Sequence, residues 1–185
     1  MAQTSTLYRF KIDLSDIDRG VYENLEFRVA QHPSETSIYL LSKVIAYIVN
    51  AQEGIEFSPQ GLGDPEAPAV RALDLNGTMA LWIEIGSPNP KKLHKATKAA
   101  KVVKVYTYKD PKPLIAELNS QTVHKLETIK FFALKPKSLD ELSQSLQRDN
   151  RWNVIVQNDV LTIHFGSVTM ELELLPIHVS TSPLS

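Results

Sequence analysis

Gly63-Asp64-Pro65-Glu66, an apolar run over 69–75, Asn76-Gly77, then Met79-Ala80-Leu81-Trp82-Ile83-Glu84-Ile85-Gly86 and Ser87-Pro88-Asn89-Pro90-Lys91-Lys92-Leu93-His94-Lys95: this stretch decides how the 185-residue chain folds. Asn76-Gly77 between two apolar runs is a strong short-range hairpin signal, so strands are expected over 69–75 and 78–85. Leu81, Trp82, Ile83 and Ile85 surround Glu84 without alternation, which predicts a strand covered on both faces. Pro88 and Pro90 introduce a helix over about 91–100, with proline in its permitted early position.

Outward from that stretch, Tyr8, Phe10, Ile12 and Leu14 alternate, and so do Leu25, Phe27 and Val29, predicting an antiparallel hairpin. The segment 35–50 is apolar almost all round and reads as a deeply buried helix. Ser34 is its expected cap, with Glu35 in the first turn at the positive end of the dipole. Residues 55–57 form a short strand candidate, and Gly61-Leu62-Gly63 lies in a flexible loop. Beyond the central stretch, strands are expected over 102–108 and 128–134, and a helix over 114–119. A second helix, 138–146, carries a capping-box pattern of Ser138 and Glu141. Strands 152–156, 160–165 and 168–174 make a meander with turns at Asn158-Asp159 and Gly166-Ser167, and 179–185 reads as a tail. Helix, short strand, hairpin, helix, strand, helix, strand, with antiparallel ends, gives an α/β class: a mixed α+β sheet with helices on its faces. The length suits one domain over 1–185.

The chain is 43% hydrophobic and 22% charged, enough for a full core, and it has no cysteine, which excludes disulfides, zinc–thiolate sites and cysteine nucleophiles. The first eleven residues alternate and lack the apolar core of a signal peptide, and no apolar run is long enough to span a bilayer. A cytoplasmic protein is therefore expected. Between residues 91 and 112 there are eight lysines and one acid, so this stretch is +7 on a chain of net charge −1 and the remainder is −8. A basic region on an acidic body points to a phosphate-bearing partner.

A carboxylate inside an apolar strand is costly unless a cation, a metal or a proton pairs with it. Glu84 is either a strand-end acid that is partly wet and hydrogen-bonded, or a metal ligand or tuned acid. Asp64 and Glu66 are either turn chemistry or its partners. A regular hairpin puts Pro65 and Ala67 on the Glu84 face and Asp64 and Glu66 on the other. A bulge near Pro65 or Pro68 would re-aim Glu66. The lysines of helix 91–101 form a solvated basic face, from which Lys92 or Lys95 can swing back to the strand end. The five histidines show no ligand spacing, and there is no Walker loop, GxGxxG, GxSxG or HExxH pattern.

His32-Pro33-Ser34-Glu35-Thr36, Asp64-Pro65-Glu66, Leu81-Trp82-Ile83-Glu84-Ile85-Gly86 followed by Pro88, the helix with Lys95-Ala96, and Val105-Tyr106-Thr107-Tyr108 resemble the YaeQ family of bacterial proteins. That family is similar in fold to the PD-(D/E)xK nucleases. The resemblance implies a restriction-endonuclease-like core over about 34–108, ordered helix, three strands, helix, strand, with flanking strands from 6–31 and 152–175. It implies Glu35, Glu66, Glu84 and Lys95 as catalytic residues, and Glu66, Glu84 and Asp64 as ligands of Mg²⁺, with Mn²⁺ as a substitute. The motif lysine falls on Gly86, a departure that the next helix makes good through Lys95, with Lys92 second. The implied activity is Mg²⁺-assisted phosphodiester hydrolysis on nucleic acid held by helix 91–101. The rival expectation is an inactive nuclease-fold protein serving as a nucleic-acid- or protein-binding module.

Overall fold

The computed structural model of the chain describes residues 4–59 and 64–179. The expected Gly61-Leu62-Gly63 loop and residues 180–185 of the expected tail lie outside the described residues. The alternation at the N-terminus builds β1 (Thr6–Asp16) and β2 (Val21–Gln31), antiparallel with Phe10 opposite Phe27 and Ile12 opposite Leu25. The buried helix is α1 (Ser37–Ile48). It starts later than its sequence suggests, because Thr36, not Ser34, is the cap and accepts a hydrogen bond from the Tyr39 amide at 3.1 Å. The Ser34 hydroxyl is engaged instead with His32 Nδ1 at 2.6 Å, so Glu35 precedes the helix and is not in its first turn.

β3 (Ile55–Phe57), β4 (Val70–Leu73) and β5 (Met79–Ile85) follow, antiparallel in turn. The β4–β5 register pairs Val70 with Ile83 and Ala72 with Leu81, as the hairpin signal predicts. The turn itself is longer than a two-residue one. The Asp74 carboxylate accepts from the amides of Asn76 and Thr78, Gly77 takes φ +75°, and the register shifts between Ala72 and Leu73. The irregularity therefore sits at the turn and not beside Pro65 or Pro68. Asn89 caps α2 (Pro90–Ala99), which leads into β6 (Val102–Thr107). Asp110 caps α3 (Pro111–Ser120), and a 3-10 turn at Leu126–Thr128 precedes β7 (Lys130–Leu134). α4 (Pro136–Ser143) begins on Pro136 with no side-chain cap. The proline fixes the start two residues before Ser138, so the expected capping box does not form. β8 (Asp149–Gln157), β9 (Val160–Phe165) and β10 (Val168–Ile177) complete the chain.

The molecule divides into two compact units: Met1–Ala51 with Leu134–Leu175, and Gln52–Ala133 with Pro176–Ser185. In the first, the sheet runs β2-β1-β8-β9-β10. The meander β8-β9-β10 is antiparallel as expected, but β8 lies parallel to β1, so the ends of the chain are not purely antiparallel. The pairing sets Trp152 beside Ile12 and edge-on to Phe10 at 5.0 Å, while Phe10 stacks on Phe27 at 5.3 Å. α1 and α4 pack together.

In the second unit the order is β7-β6-β5-β4-β3, with β5, β6 and β7 parallel. Leu93 and Ala96 of α2 and Leu114 and Leu118 of α3 close over Trp82, Val103, Val105 and Phe131. The class is thus mixed α/β. No helix of the described residues is long and apolar enough to cross a membrane.

Candidate functional site at the carboxyl end of β5

Ligand sites of open parallel sheets lie outside the carboxyl ends of the strands. Glu84 stands at that end of β5, next to Val105 of the parallel strand β6, and is only 4% exposed. Side chains two residues apart share a strand face, so Trp82 lies beside it. The Trp82 Nε1–H donates to Glu84 Oε1 at 2.6 Å. The other oxygen faces the ammonium of Lys92 at 2.9 Å, both side chains being largely buried. Lys92 reaches it from the first turn of α2, where the Asn89 carboxamide holds its amide at 2.8 Å. Burial pushes the Glu84 carboxyl above the usual carboxylate range. Lys92 and the Trp82 N–H oppose that push, and the nearby charge of Glu66 adds to it.

Glu66 is not in a strand. The chain turns at 64–67, where Asp64 Oδ1 accepts from the Glu66 amide at 3.0 Å and the Asp64 carbonyl accepts from the Ala67 amide. Pairing with β5 begins only at Ala69, whose amide donates to the Ile83 carbonyl at 2.9 Å. Asp-Pro-Glu is therefore turn chemistry, and it is the turn, not a bulge, that aims Glu66. Its carboxylate meets Lys95 at 3.3 Å with both side chains exposed.

Two acid–lysine pairs thus stand at this end of the sheet. The buried one is Glu84–Lys92, so Lys92 and not Lys95 is the lysine that touches the strand acid. Asp64 joins through the backbone of Glu66. Glu35 belongs to the other unit, where its carboxylate is buried against the Lys43 ammonium at 3.3 Å. Burial there pushes Lys43 down, and Glu35 opposes the push. Among the described residues no group of three or more His, Asp or Glu side chains is placed to hold a metal ion.

Gly86 shows why position 86 carries no lysine. β5 ends at Ile85, and Gly86 turns out of the strand at φ +88° while its amide still donates to the Tyr106 carbonyl. That left-handed conformation favours glycine, and a side chain there would leave the strand direction. Two features escape the sequence reading. Trp82 as a donor to Glu84 is recoverable from its i−2 position on the same strand face. The contact of His94 with His124, whose amide donates to His94 Nδ1 at 3.1 Å, joins residues thirty apart and has no local signal.

The family model described as YaeQ protein matches residues 1–174. The chain is 25% identical over 175 residues to the uncharacterised protein YaeQ of Escherichia coli (strain K12), covering 94% of this chain and 96% of that one. It superposes on the crystal structure of the YaeQ protein from Pseudomonas syringae with a TM-score of 0.88 at 25% identity, covering 98% of this chain and 100% of the other. The YaeQ protein from Xanthomonas axonopodis pv. citri gives 0.87 at 25% identity, with 96% and 100% covered. In length, sequence and fold alike, this chain belongs to the YaeQ family.

Proposed function

We propose that this chain is a metal-dependent phosphodiesterase of the restriction-endonuclease-like type acting on nucleic acid, working in the cytoplasm where nucleic acid and free Mg²⁺ meet. The observation that carries the reading is the 2.9 Å contact between Lys92 and Glu84 beside the Glu66–Lys95 pair. It supplies the lysine that the strand lacks at Gly86 and puts it on the strand acid. The order α1, β3, β4, β5, α2, β6 supports the same reading, being the helix, three strands, helix, strand of such a core.

The donor set suits Mg²⁺, with Mn²⁺ as a substitute. Both are hard cations, and Mg²⁺ is commonly held by one or two carboxylates while keeping waters and substrate phosphate oxygens. Glu84 and Glu66 would hold it, and Asp64 contributes by fixing the turn that presents Glu66. When bound, the metal supplies a Lewis acid and an activated water. The rest falls to the chain itself. Trp82 fixes the Glu84 carboxylate through Oε1. Lys92, held in a largely buried position, stabilises negative charge developing on the phosphate. Exposed Lys91 and Lys98 hold the polynucleotide backbone, which makes binding salt-dependent. Glu35, spent on Lys43, is left out of this assignment.

The test is cleavage of single- and double-stranded DNA and RNA with Mg²⁺ by wild type, Glu84→Gln and Lys92→Met. Loss of one such electrostatic group costs about 10²-fold or more in rate, and Lys95→Ala, whose pair is exposed, costs less than either. Cleavage retained in both variants overturns the assignment. A second reading has its own support: each acid already holds an ammonium and no third acid joins them among the described residues. A wild-type protein that binds nucleic acid, cleaves none of the four forms and ignores Mg²⁺ is that inactive binding module.

A further inference from the structure

We infer that α2 carries a second phosphate-binding subsite, on the flank away from Glu84, formed by His94, His124 and Lys98, which takes a phosphodiester of the same strand whose backbone reaches the Glu84 site. The inference rests on the nucleic-acid reading above and extends it from a single phosphate to a polynucleotide.

At 100° per residue the side chains of α2 sort into two halves. Leu93, Ala96 and Thr97 are buried against the sheet. The opposite half, in angular order, is Lys92, exposed Ala99, Lys95, Lys91, Lys98 and His94, with Lys101 just past the helix end. This half holds no acid. Its two edges are neutralised: Lys92 and Lys95 by Glu84 and Glu66, and Lys101 by Asp74 at 3.0 Å. The middle is not. Lys91 and Lys98 are exposed and form no ion pair among the described residues. A surface of uncompensated cations bounded by ion pairs fits a polyanion lying across the helix.

The histidines define where that anion is gripped. The loop after α3 is anchored by Val123 and Leu126, both in the core under α2, which brings His124 against the helix. Its ring lies 6.1 Å from that of His94, centroid to centroid. The amide of residue 124 donates to His94 Nδ1. An accepting Nδ1 is unprotonated, so the neutral ring carries its hydrogen on Nε2 and offers a donor there. The same bond argues against a transition metal on His94, because an Nε2 ligand needs the proton on Nδ1, where the amide already points. Lys98 is one turn from His94 on the same side, and Lys125, exposed, follows His124. One oriented N–H, a second imidazole and the Lys98 ammonium are the donors a phosphodiester takes, with the charge of Lys125 near them in the chain.

The experiment is fluorescence anisotropy with end-labelled single-stranded DNA, single-stranded RNA and duplex 12-mers, in EDTA so that nothing is cleaved, over a range of salt. Wild type is compared with Lys98→Gln, His124→Ala, which keeps the residue-124 amide bond to His94, and His94→Ala. Each variant is expected to weaken binding about fivefold or more. For Lys98→Gln the slope of log affinity against log salt falls by about 0.7 on a single strand. Wild-type binding with all three variants unchanged in affinity and slope overturns the subsite and leaves the nucleic-acid reading standing. Absence of wild-type binding to all three probes at low salt overturns that reading and the subsite with it. The DNA, RNA and duplex arms identify which backbone it takes.

Discussion

Glu84 shows how a residue's surroundings fix both its cost and its use. Burial raises its carboxyl above the ordinary value of 4.5, and the Lys92 and Trp82 contacts only partly offset this. Between the ordinary and the raised value the folded protein holds the proton more tightly than the unfolded chain does. The stability this group contributes is therefore full below about pH 4.5 and is lost as pH rises through the raised value. Glu84→Gln keeps the shape and the acceptor for Trp82 but cannot titrate. The stability of wild type relative to Glu84→Gln, taken from urea midpoints at a series of pH values, should be greatest in acid, shrink through that window and stay flat above it. A difference independent of pH would mean that the Lys92 and Trp82 contacts offset the desolvation in full. Gly86, two residues on, is the complementary case. Read as letters, it is a missing lysine. Its φ of +88° makes it the residue that ends the strand, and the lysine in contact with Glu84 is Lys92 of α2.

At the scale of elements, what was legible in the sequence was what local pattern dictates. Alternation gave the first hairpin, and Asn76-Gly77 gave the β4–β5 register. What failed were choices between neighbouring caps. Thr36 displaces Ser34 because His32 occupies the serine, and Pro136 overrides the Ser138–Glu141 pattern. The parallel pairing of β1 with β8 could not be read locally, since Ile12 and Trp152 find each other across most of the chain. The late start of α1 has an energetic consequence. Glu35, freed from the helix, folds back onto Lys43, whose side chain is 6% exposed against 4% for Glu35. Removing one member of a buried pair strands the other charge, whereas replacing both with apolar groups does not. Lys43→Met alone should cost about 3 kcal/mol, and Glu35→Leu with Lys43→Met should return to within about 1 kcal/mol of wild type. Chemical denaturation of Lys43→Met, Glu35→Leu and the double gives the coupling. Simple additivity would show that the pair is not isolated from water.

Over the whole molecule, the sequence of elements was readable, while their grouping was not. The expected core of 34–108 draws α1 from one compact unit and β3 to β6 from the other, because contacts, not chain order, define the units. The same division makes the candidate site separately observable. The chain has two tryptophans, one in each unit. Trp152 packs with Phe10 and Phe165, far along the chain from any candidate ligand. Trp82 donates its indole N–H directly to Glu84. A cation arriving on Glu84 changes the charge felt at that N–H and so the emission of Trp82, whereas the ring contacts of Trp152 are with Phe10 and Phe165. Titrating Mg²⁺ into Trp152→Phe should therefore give a saturable change in fluorescence, into Trp82→Phe none, and into Trp152→Phe with Glu84→Gln none. The readout requires no turnover, so it separates the metal site from the choice of nucleic acid. A change seen in Trp82→Phe and missing from Trp152→Phe would move the cation away from Glu84 and leave the Glu84–Lys92 pair a structural one.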